Sequence, residues 1–357
     1  MQKKALVAMS GGVDSSVGAC LVKKAGYDTM GAIMKLTRPE KWGAGPDAAC
    51  SGSSDIEDAR AVAARLGIPF EVFDFSDEFE QEVVCRFVRA YEEGRTPNPC
   101  VDCNRHMKFD RFFRQGKEFG YDYVATGHYA RVDYDPGSGR YLLKKSPNRE
   151  KDQSYVLYSL TQDVLARTLF PVGALDKEET RRIAAELGLV NAGKKESQDI
   201  CFVPDGDYAG FIRRYTGKEY PPGDFVDEDG NVLGRHKGLI RYTIGQRKGL
   251  GLALKQPMYV LRKDIEENRV VLGKNEDLFS RTLEAGNFNW IACEPPESDL
   301  RANAKVRYSQ KESSARVIPL GETRVRLEFD EPQRAITSGQ AIVLYDGDVV
   351  VGGGTIL

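Results

Sequence analysis

The stretch KALVAMSGGVDSSVGACLVKK, residues 4–24, decides how the first half of the chain reads. Lys4 to Met9 is a short apolar run, Ser10-Gly11-Gly12 interrupts it, and Val17 to Lys24 follows a helical period. The order is strand, tight loop, helix. Glycines let such a loop fold closely around an anion. Backbone N–H groups across Met9, Ser10, Gly11, Gly12 and Val13 and the hydroxyls of Ser15 and Ser16 donate to phosphate oxygens, and the helix start adds partial positive charge. Asp14 is out of place beside bare phosphate, and a magnesium ion held by its hard carboxylate oxygens would neutralise the pair. No Gly-Lys-Ser/Thr ending follows, so the loop is not the type built for attack at a γ-phosphate.

Outward from this loop the same alternation continues. Asp28 to Leu36 reads as a strand, Asp55 to Leu66 as a helix stopped by Gly67, and Phe70 to Phe75 as a strand. A long helix is expected over Asp77 to Glu93, ended by Gly94 and by Thr96-Pro97-Asn98-Pro99, and another over Lys108 to Phe119. Tyr123 to Thr126 reads as a buried strand leading into Gly127-His128. Strands alternating with helices predict an α/β, doubly wound parallel sheet with its ligand at the carboxyl ends of the strands. Asp176 and Glu179 sit at capping-box spacing before a helix ending at Gly188, so a nucleotide-binding catalytic domain is expected over residues 1–205.

Beyond it the texture changes. Pro221 to Gly251 is rich in glycine and basic residues with an Asp229-Gly230 turn, which predicts a small extended central domain over residues 206–280. From Arg281 onward the pattern is β. Arg324, Arg326 and Glu328 alternate with apolar residues as a solvent face, and Asp346-Gly347 separates Ala341–Tyr345 from Val349–Val351. A C-terminal β-barrel is expected over residues 281–357.

Composition narrows the class of partner. With 41% apolar and 29% charged residues in 357, no apolar run of membrane-spanning length and no basic-then-apolar leader at Met1, the expectation is a cytoplasmic protein without a membrane partner. Seven cysteines make an odd, scattered set, which argues against a structural disulfide framework. The net charge of −2 gives no general affinity for polyanions, so any nucleic-acid contact must come from local basic patches.

The loop resembles that of the ATP pyrophosphatase superfamily, which cleaves ATP between the α and β phosphates and leaves AMP on its substrate. Six segments in order narrow this: the loop itself, Asn98-Pro99 through Cys103-Asn104, Ala125-Thr126-Gly127-His128-Tyr129, Lys151-Asp152-Gln153-Ser154-Tyr155, Asp199-Ile200-Cys201-Phe202, and Arg241-Tyr242-Thr243-Ile244-Gly245-Gln246-Arg247. Together they resemble the tRNA-specific 2-thiouridylases across nearly the whole chain.

The resemblance implies ATP with Mg2+ as cofactors, backbone contacts from Met34 and Gly127 to the nucleotide, and tRNA as substrate. It implies Cys103 as nucleophile and Cys201 as carrier of a persulfide loaded by a sulfur-carrier protein or cysteine desulfurase, with a transient Cys103–Cys201 disulfide. Asn98, Pro99 and Cys100 correspond to the target-base segment. His128, Lys151, Asp152, Gln153, Arg307, Tyr308 and Gln340 correspond to tRNA contacts. Both cysteine segments, flanked by Pro or polar residues, read as irregular.

Relatives often carry Asp where this chain has Cys100, and Asp102 is the nearest acid. The spacing Cys100-x-x-Cys103 with Cys201 also admits an iron–sulfur cluster with one open iron. Cys20, Cys85 and Cys293, inside expected elements, read as packing residues. Two rival functions use the same residues. A small-molecule adenylating ligase would need neither Cys103 nor Cys201, and a redox-sensing RNA-binding protein would bind ATP without turning it over.

Overall fold

The computed structural model describes residues 2–38, 52–194 and 200–357. Five strands form one parallel sheet: β1 (Lys4–Ala8), β2 (Asp28–Lys35), β3 (Phe70–Asp74), β4 (Tyr123–Ala125) and, later in the chain, Thr168–Leu169. Their order is β3-β2-β1-β4 and then the 168–169 strand. The strand order runs outward one way from β1 to β3 and the other way from β1 to β4, so a crevice opens beyond the carboxyl ends of β1 and β4, where doubly wound sheets bind ligands. The central strand β1 is buried from Ala5 to Ala8, as a strand covered on both faces must be.

Helices α1 (Val13–Lys24) and α2 (Ser53–Leu66) cover one face. Gly67 ends α2 in the left-handed conformation, as the sequence predicts. The other face is covered by α3 and α4, each a composite. Helix α3 spans residues 76–92 with a π-helical section at Glu80–Val84, and α4 spans residues 99–118 with one at Cys103–Arg111.

The start of α4 corrects the sequence reading. Pro99 occupies its first turn, where a missing N–H costs nothing, so the helix begins nine residues before the expected Lys108. Cys103 is therefore helical rather than part of an irregular segment. Helix α5 (Lys177–Glu186) starts on Asp176, whose carboxylate accepts the Glu179 N–H at 2.7 Å, and α6 (Tyr208–Thr216) follows.

A hairpin that the sequence reading did not foresee, β5 (Ala130–Asp135) and β6 (Arg140–Lys145), leaves the parallel domain. With the 168–169 strand taken as β7, the central unit comprises β8 (Gly223–Val226), β9 (Val232–His236), β10 (Tyr259–Asp264) and β11 (Arg269–Gly273) around Phe225, Val260, Val270 and Leu272.

The C-terminal strands are β12 (Phe279–Trp290), β13 (Leu300–Lys305), β14 (Ser313–Pro319), β15 (Val325–Arg334), β16 (Ala341–Asp346) and β17 (Val349–Ile356). They run β12-β15-β14-β13-β16-β17, and β17 pairs back to β12, closing a barrel. Along β15, Val325, Leu327 and Phe329 point inward and Arg324 and Arg326 outward, the expected alternation. The hairpin attaches through β6 to β17. A shared core joins Val101 and Phe109 of α4 to Leu143, Tyr155, Val343 and Tyr345, so the barrel packs directly on the helix that carries Cys103.

Candidate active site

The loop after β1 is held by its own hydroxyls. The Ser10 N–H donates to Ser15 Oγ at 3.1 Å, and the Ser15 and Ser16 hydroxyls both donate to the Gly12 carbonyl, at 3.0 and 2.9 Å. Gly11 takes φ +71°, and a Cβ there would lie 2.7 Å from the Asp55 backbone, so no other residue fits. Asn191, only 2% exposed, donates through Nδ2 to the Gly11 carbonyl and to Ser16 Oγ, both at 2.9 Å, while its Oδ1 has no partner. Nearby, Lys194 pairs with Asp55 at 2.7 Å and Asp58 at 2.5 Å.

Asp14 points to a cation supplied by the chain itself. Lys177, the first residue of α5, places Nζ 2.7 Å from Oδ1 and 2.9 Å from Oδ2, and the Tyr129 hydroxyl donates to Oδ1 at 2.7 Å. Neither Lys177 nor Tyr129 was assigned a role from sequence. The Asp176–Glu179 cap was a usable signal, because it fixes where α5 begins and hence where Lys177 points.

A cavity of about 370 Å3 opens at the carboxyl ends of β1 and β4. Met9, Ser10, Asp14, Ser15, Met34 and Gly127 line it, together with Pro99, Cys100, Cys103, Gln153 and Cys201. Gly11, Gly12, Val13 and Ser16 are not on its wall and shape the loop from behind. The need for glycine at 127 comes from the protein: a Cβ would lie 2.7 Å from Ser15 N and 2.8 Å from Asp14 C.

Cys100 and Cys103 are one turn apart on α4, so they share a face. Cys201 enters beside them because Phe202 is buried against Phe79, Phe87 and Phe211, with ring centroids 5.8, 5.2 and 5.3 Å away. Asp199, quoted with that motif, lies outside the described residues, as do Ser197 and Gln198.

His128 also lines the cavity but contributes no charge. It is 7% exposed, its Nδ1 is 2.7 Å from Thr126 Oγ1, and burial, with Lys108 adding to it, holds its pKa well below the usual imidazole range. The cation on this wall is Lys108, whose Nζ lies 3.4 Å from His128 Nε2 and which forms no ion pair among the described residues. Sequence reading missed Lys108 because nothing in a lone helical lysine sets it apart.

The other expected contacts divide by burial. Asp152 is buried, and its carboxylate accepts from the Ser146 N–H at 3.0 Å and from the Ser154 hydroxyl at 2.8 Å. Tyr308 of the barrel donates to the Asp152 carbonyl at 3.0 Å, and Arg307 donates to the Ala335 carbonyl at 2.6 Å. Gln340 donates to the Thr96 carbonyl at 3.0 Å. Lys151 is half-buried in the turn that Asp152 organises. Asn98 is absent from the cavity wall, because it faces the opposite side of α4's first turn, with Asp102. Burial pushes the Asp102 carboxyl up to about 6 against the opposing pull of Arg86 and Arg105.

A parallel sheet with this loop at its switch point defines a nucleotide-binding enzyme fold of the pyrophosphate-loop class. Residues 3–205 match the family model described as a tRNA methyl transferase HUP domain, residues 209–274 the PRC-barrel domain of the same name, and residues 280–356 an aminomethyltransferase beta-barrel domain. The chain is 49% identical over 356 residues to the tRNA-specific 2-thiouridylase MnmA of Clostridioides difficile, covering 100% of this chain and 98% of that protein. It is 50% identical over 356 residues to the enzyme of the same name from Lachnoclostridium phytofermentans, covering 99% of each.

Among solved structures, a 4-thiouridine synthetase–RNA complex with bound ATP aligns with TM-score 0.37 at 19% identity, over 57% of this chain and 45% of that one. NMN synthetase from Francisella tularensis aligns with TM-score 0.34 at 15% identity, over 61% and 78%. The chain belongs to the tRNA-specific 2-thiouridylase MnmA family. No helix among the described residues is long and apolar enough to cross a membrane.

Proposed function

We propose that this protein is a tRNA-uridine 2-sulfurtransferase that adenylates the C2 oxygen of a wobble uridine with ATP and replaces that oxygen with sulfur. The observation that carries the reading is that one and the same cavity is lined by the phosphate loop and by Cys103 and Cys201. A nucleotide and two thiols on one wall are what an activate-then-thiolate sequence needs, and what an amidating ligase does not.

The uridine C2 carbonyl is a poor electrophile. Its oxygen attacks the α-phosphorus, the bond to pyrophosphate breaks, and the oxygen becomes part of an AMP leaving group. The terminal sulfur of a Cys201 persulfide then attacks C2 and AMP departs with the former carbonyl oxygen. The Cys103 thiolate attacks Cys201 Sγ, the sulfur–sulfur bond breaks, and its electron pair stays on the sulfur now attached to C2. The products are 2-thiouridine and a Cys103–Cys201 disulfide. Attack by Cys103 on the persulfide before transfer, releasing hydrosulfide, reaches the same disulfide. A thiol reductant resets the pair, and a sulfur-carrier protein or cysteine desulfurase reloads Cys201.

Loop N–H groups at the start of α1 bind the phosphates, and Lys108 offers a cation to the charge developing in the cavity. An ionised carboxylate has about four lone-pair sites, of which Tyr129 and Lys177 use three on Asp14, so the remaining one on Oδ2 fits Mg2+. Bound there, Mg2+ would supply neutralisation of pyrophosphate charge. An iron–sulfur cluster does not fit, since no group of three His, Cys, Asp or Glu among the described residues is placed to hold a metal. Pro99 and Cys100 border the base, while Lys151, the amide nitrogen of Gln153 and the exposed ring of Tyr308 offer contacts to the RNA. Asp152, Arg307 and Gln340, spent on internal hydrogen bonds, shape that surface.

The test is incubation with ATP, Mg2+, unmodified tRNA and a sulfide source. Formation of 2-thiouridine with one AMP per modified base is expected. AMP formation that ignores RNA, with no thiouridine, would overturn the reading in favour of a ligase.

A further inference from the structure

On the far side of α4's first turn from the cysteine cavity lies a second cleft of about 230 Å3, between the parallel domain and the barrel. Four arginines line it: Arg86 and Arg89 from α3, Arg95 from the segment after it, and Arg105 from α4. Among the lining residues one acid stands against them, Asp102, whose burial raises its carboxyl to about 6 and leaves it largely ionised at neutral pH. Arg86 is paired with Glu82 at 2.7 Å, and Arg95 with Glu93. Arg89, which is exposed, and Arg105, which lies 6.0 Å from the centroid of the Tyr158 ring, form no ion pair among the described residues. In a chain of net charge −2, this is a local concentration of positive charge in a concave site at a domain boundary.

The barrel contributes polar groups to the same cleft. Asn287 sits at φ +50°, at an irregularity where the β12–β17 register shifts between Gly286 and Asn289. Bulges of this kind re-aim side chains, and here Asn287 faces the arginines. Thr355 of β17 lines the wall beside it. Guanidinium forks with the Asn287 amide beside them match the oxygens of a phosphodiester.

We propose that this arginine cleft seats a backbone phosphate of the RNA strand whose base enters the cysteine cavity. The inference rests on the reading of that cavity as a tRNA uridine site. Geometry supplies the link. Asn98 and the first turns of α4 form a single partition, with Pro99, Cys100 and Cys103 on one wall and Asn98, Asp102 and Arg105 on the other. A base drawn into the first space leaves its neighbouring phosphates at the rim of this partition, and the cleft fixes the strand's register without reading its sequence.

The experiment measures affinity of the full-length protein for an unmodified tRNA transcript between about 50 and 200 mM salt. Arg89→Glu, Arg89→Lys and Arg105→Gln are compared with Arg324→Glu, on the barrel's outer face, as control. Arg89→Glu is expected to weaken binding roughly tenfold and Arg105→Gln severalfold, each lowering the salt slope by about one, with Arg89→Lys keeping the wild-type slope but losing part of the affinity with the guanidinium fork. The Arg324 variant should match wild type.

Unchanged affinity and slope in both cleft variants would overturn the proposal. Unchanged tRNA affinity with slower sulfur loading from a cysteine desulfurase would overturn it too, assigning the cleft to an acidic protein partner. Wild-type protein that binds tRNA through Arg89 yet forms no 2-thiouridine would sink the sulfurtransferase reading while leaving the phosphate seat standing. Wild-type protein with no tRNA affinity would sink both.

Discussion

The ammonium group of Lys177 straddles both carboxylate oxygens of Asp14, at 2.7 and 2.9 Å, so the acid of the phosphate loop carries its counter-charge before any nucleotide arrives. The pair is only partly exposed, with side-chain accessibilities of 12% for Lys177 and 27% for Asp14. Removing one member leaves the other partly buried and uncompensated.

Lys177→Met is therefore expected to lower AMP formation at least tenfold and stability by about 1–3 kcal/mol, with tRNA affinity retained. Lys177→Arg should recover part of the loss. Asp14→Asn should abolish AMP formation and leave tRNA binding intact. Pyrophosphate release and filter binding measure the two separately, and unimpaired AMP formation in Lys177→Met would show that the pair has no part in nucleotide chemistry.

The two cysteines are expected to fail differently. Cys201→Ser should accept no labelled sulfur from a donor protein, while Cys103→Ser should accept the label and fail to release thiouridine, because a serine hydroxyl does not ionise in the working range. Cys100→Ser is expected to stay active. Normal thiouridine formation by Cys201→Ser with its donor would remove the persulfide assignment.

Gly127→Ala places a methyl group within 2.7–2.8 Å of the Asp14 and Ser15 backbone, where nothing flexible can yield. The start of α1 must shift. A loss of about 1–3 kcal/mol and a rise in the KM for ATP are expected, whereas the KM for tRNA should hold. Equal rises in both would show that the displacement spreads beyond the loop.

Lys263 of β10 gives a pH dependence with a definite sign. Its Nζ donates to the Tyr242 carbonyl at 3.0 Å and lies 5.8 Å from the Tyr91 ring centroid, without an ion pair among the described residues. Burial lowers its pKa from 10.5 to about 8. Between those values the unfolded chain binds more protons than the folded one, so this group's contribution to stability rises with pH across about 8 to 10.5. Lys263→Met should be more stable than wild type by about 2 kcal/mol at pH 7, after allowance for the lost hydrogen bond, and the advantage should vanish near pH 10. Denaturation of both proteins at the two pH values measures it.

The strand–loop–helix at residues 4–24 was legible because glycines, hydroxyls and apolar periodicity all agree there. Cys103 and Cys201 were legible only through a resemblance, since periodicity cannot say that two segments about a hundred residues apart share a wall. The start of α4 was misread because Pro97 and Pro99 mark both a break and a helix start, and only the second holds at Pro99. Hairpin β5–β6 had a local signal in Pro136-Gly137-Ser138-Gly139 that the sequence reading passed over, and only its attachment to β17, at the other end of the chain, was out of reach. Lys108 and Lys177 escaped because their role is positional, fixed by where a helix points rather than by any local pattern.

That hairpin also sets an order of events on the ribosome. Its edge at Lys144 and Lys145 pairs with Val349 and Asp348, about 200 residues later. At about 5–20 residues per second, β6 waits roughly 10–40 s for its neighbour. During that interval the nascent chain carries an open sheet edge, the feature that recruits chaperones or other nascent chains. The interval ends only when β17, the last strand made, emerges.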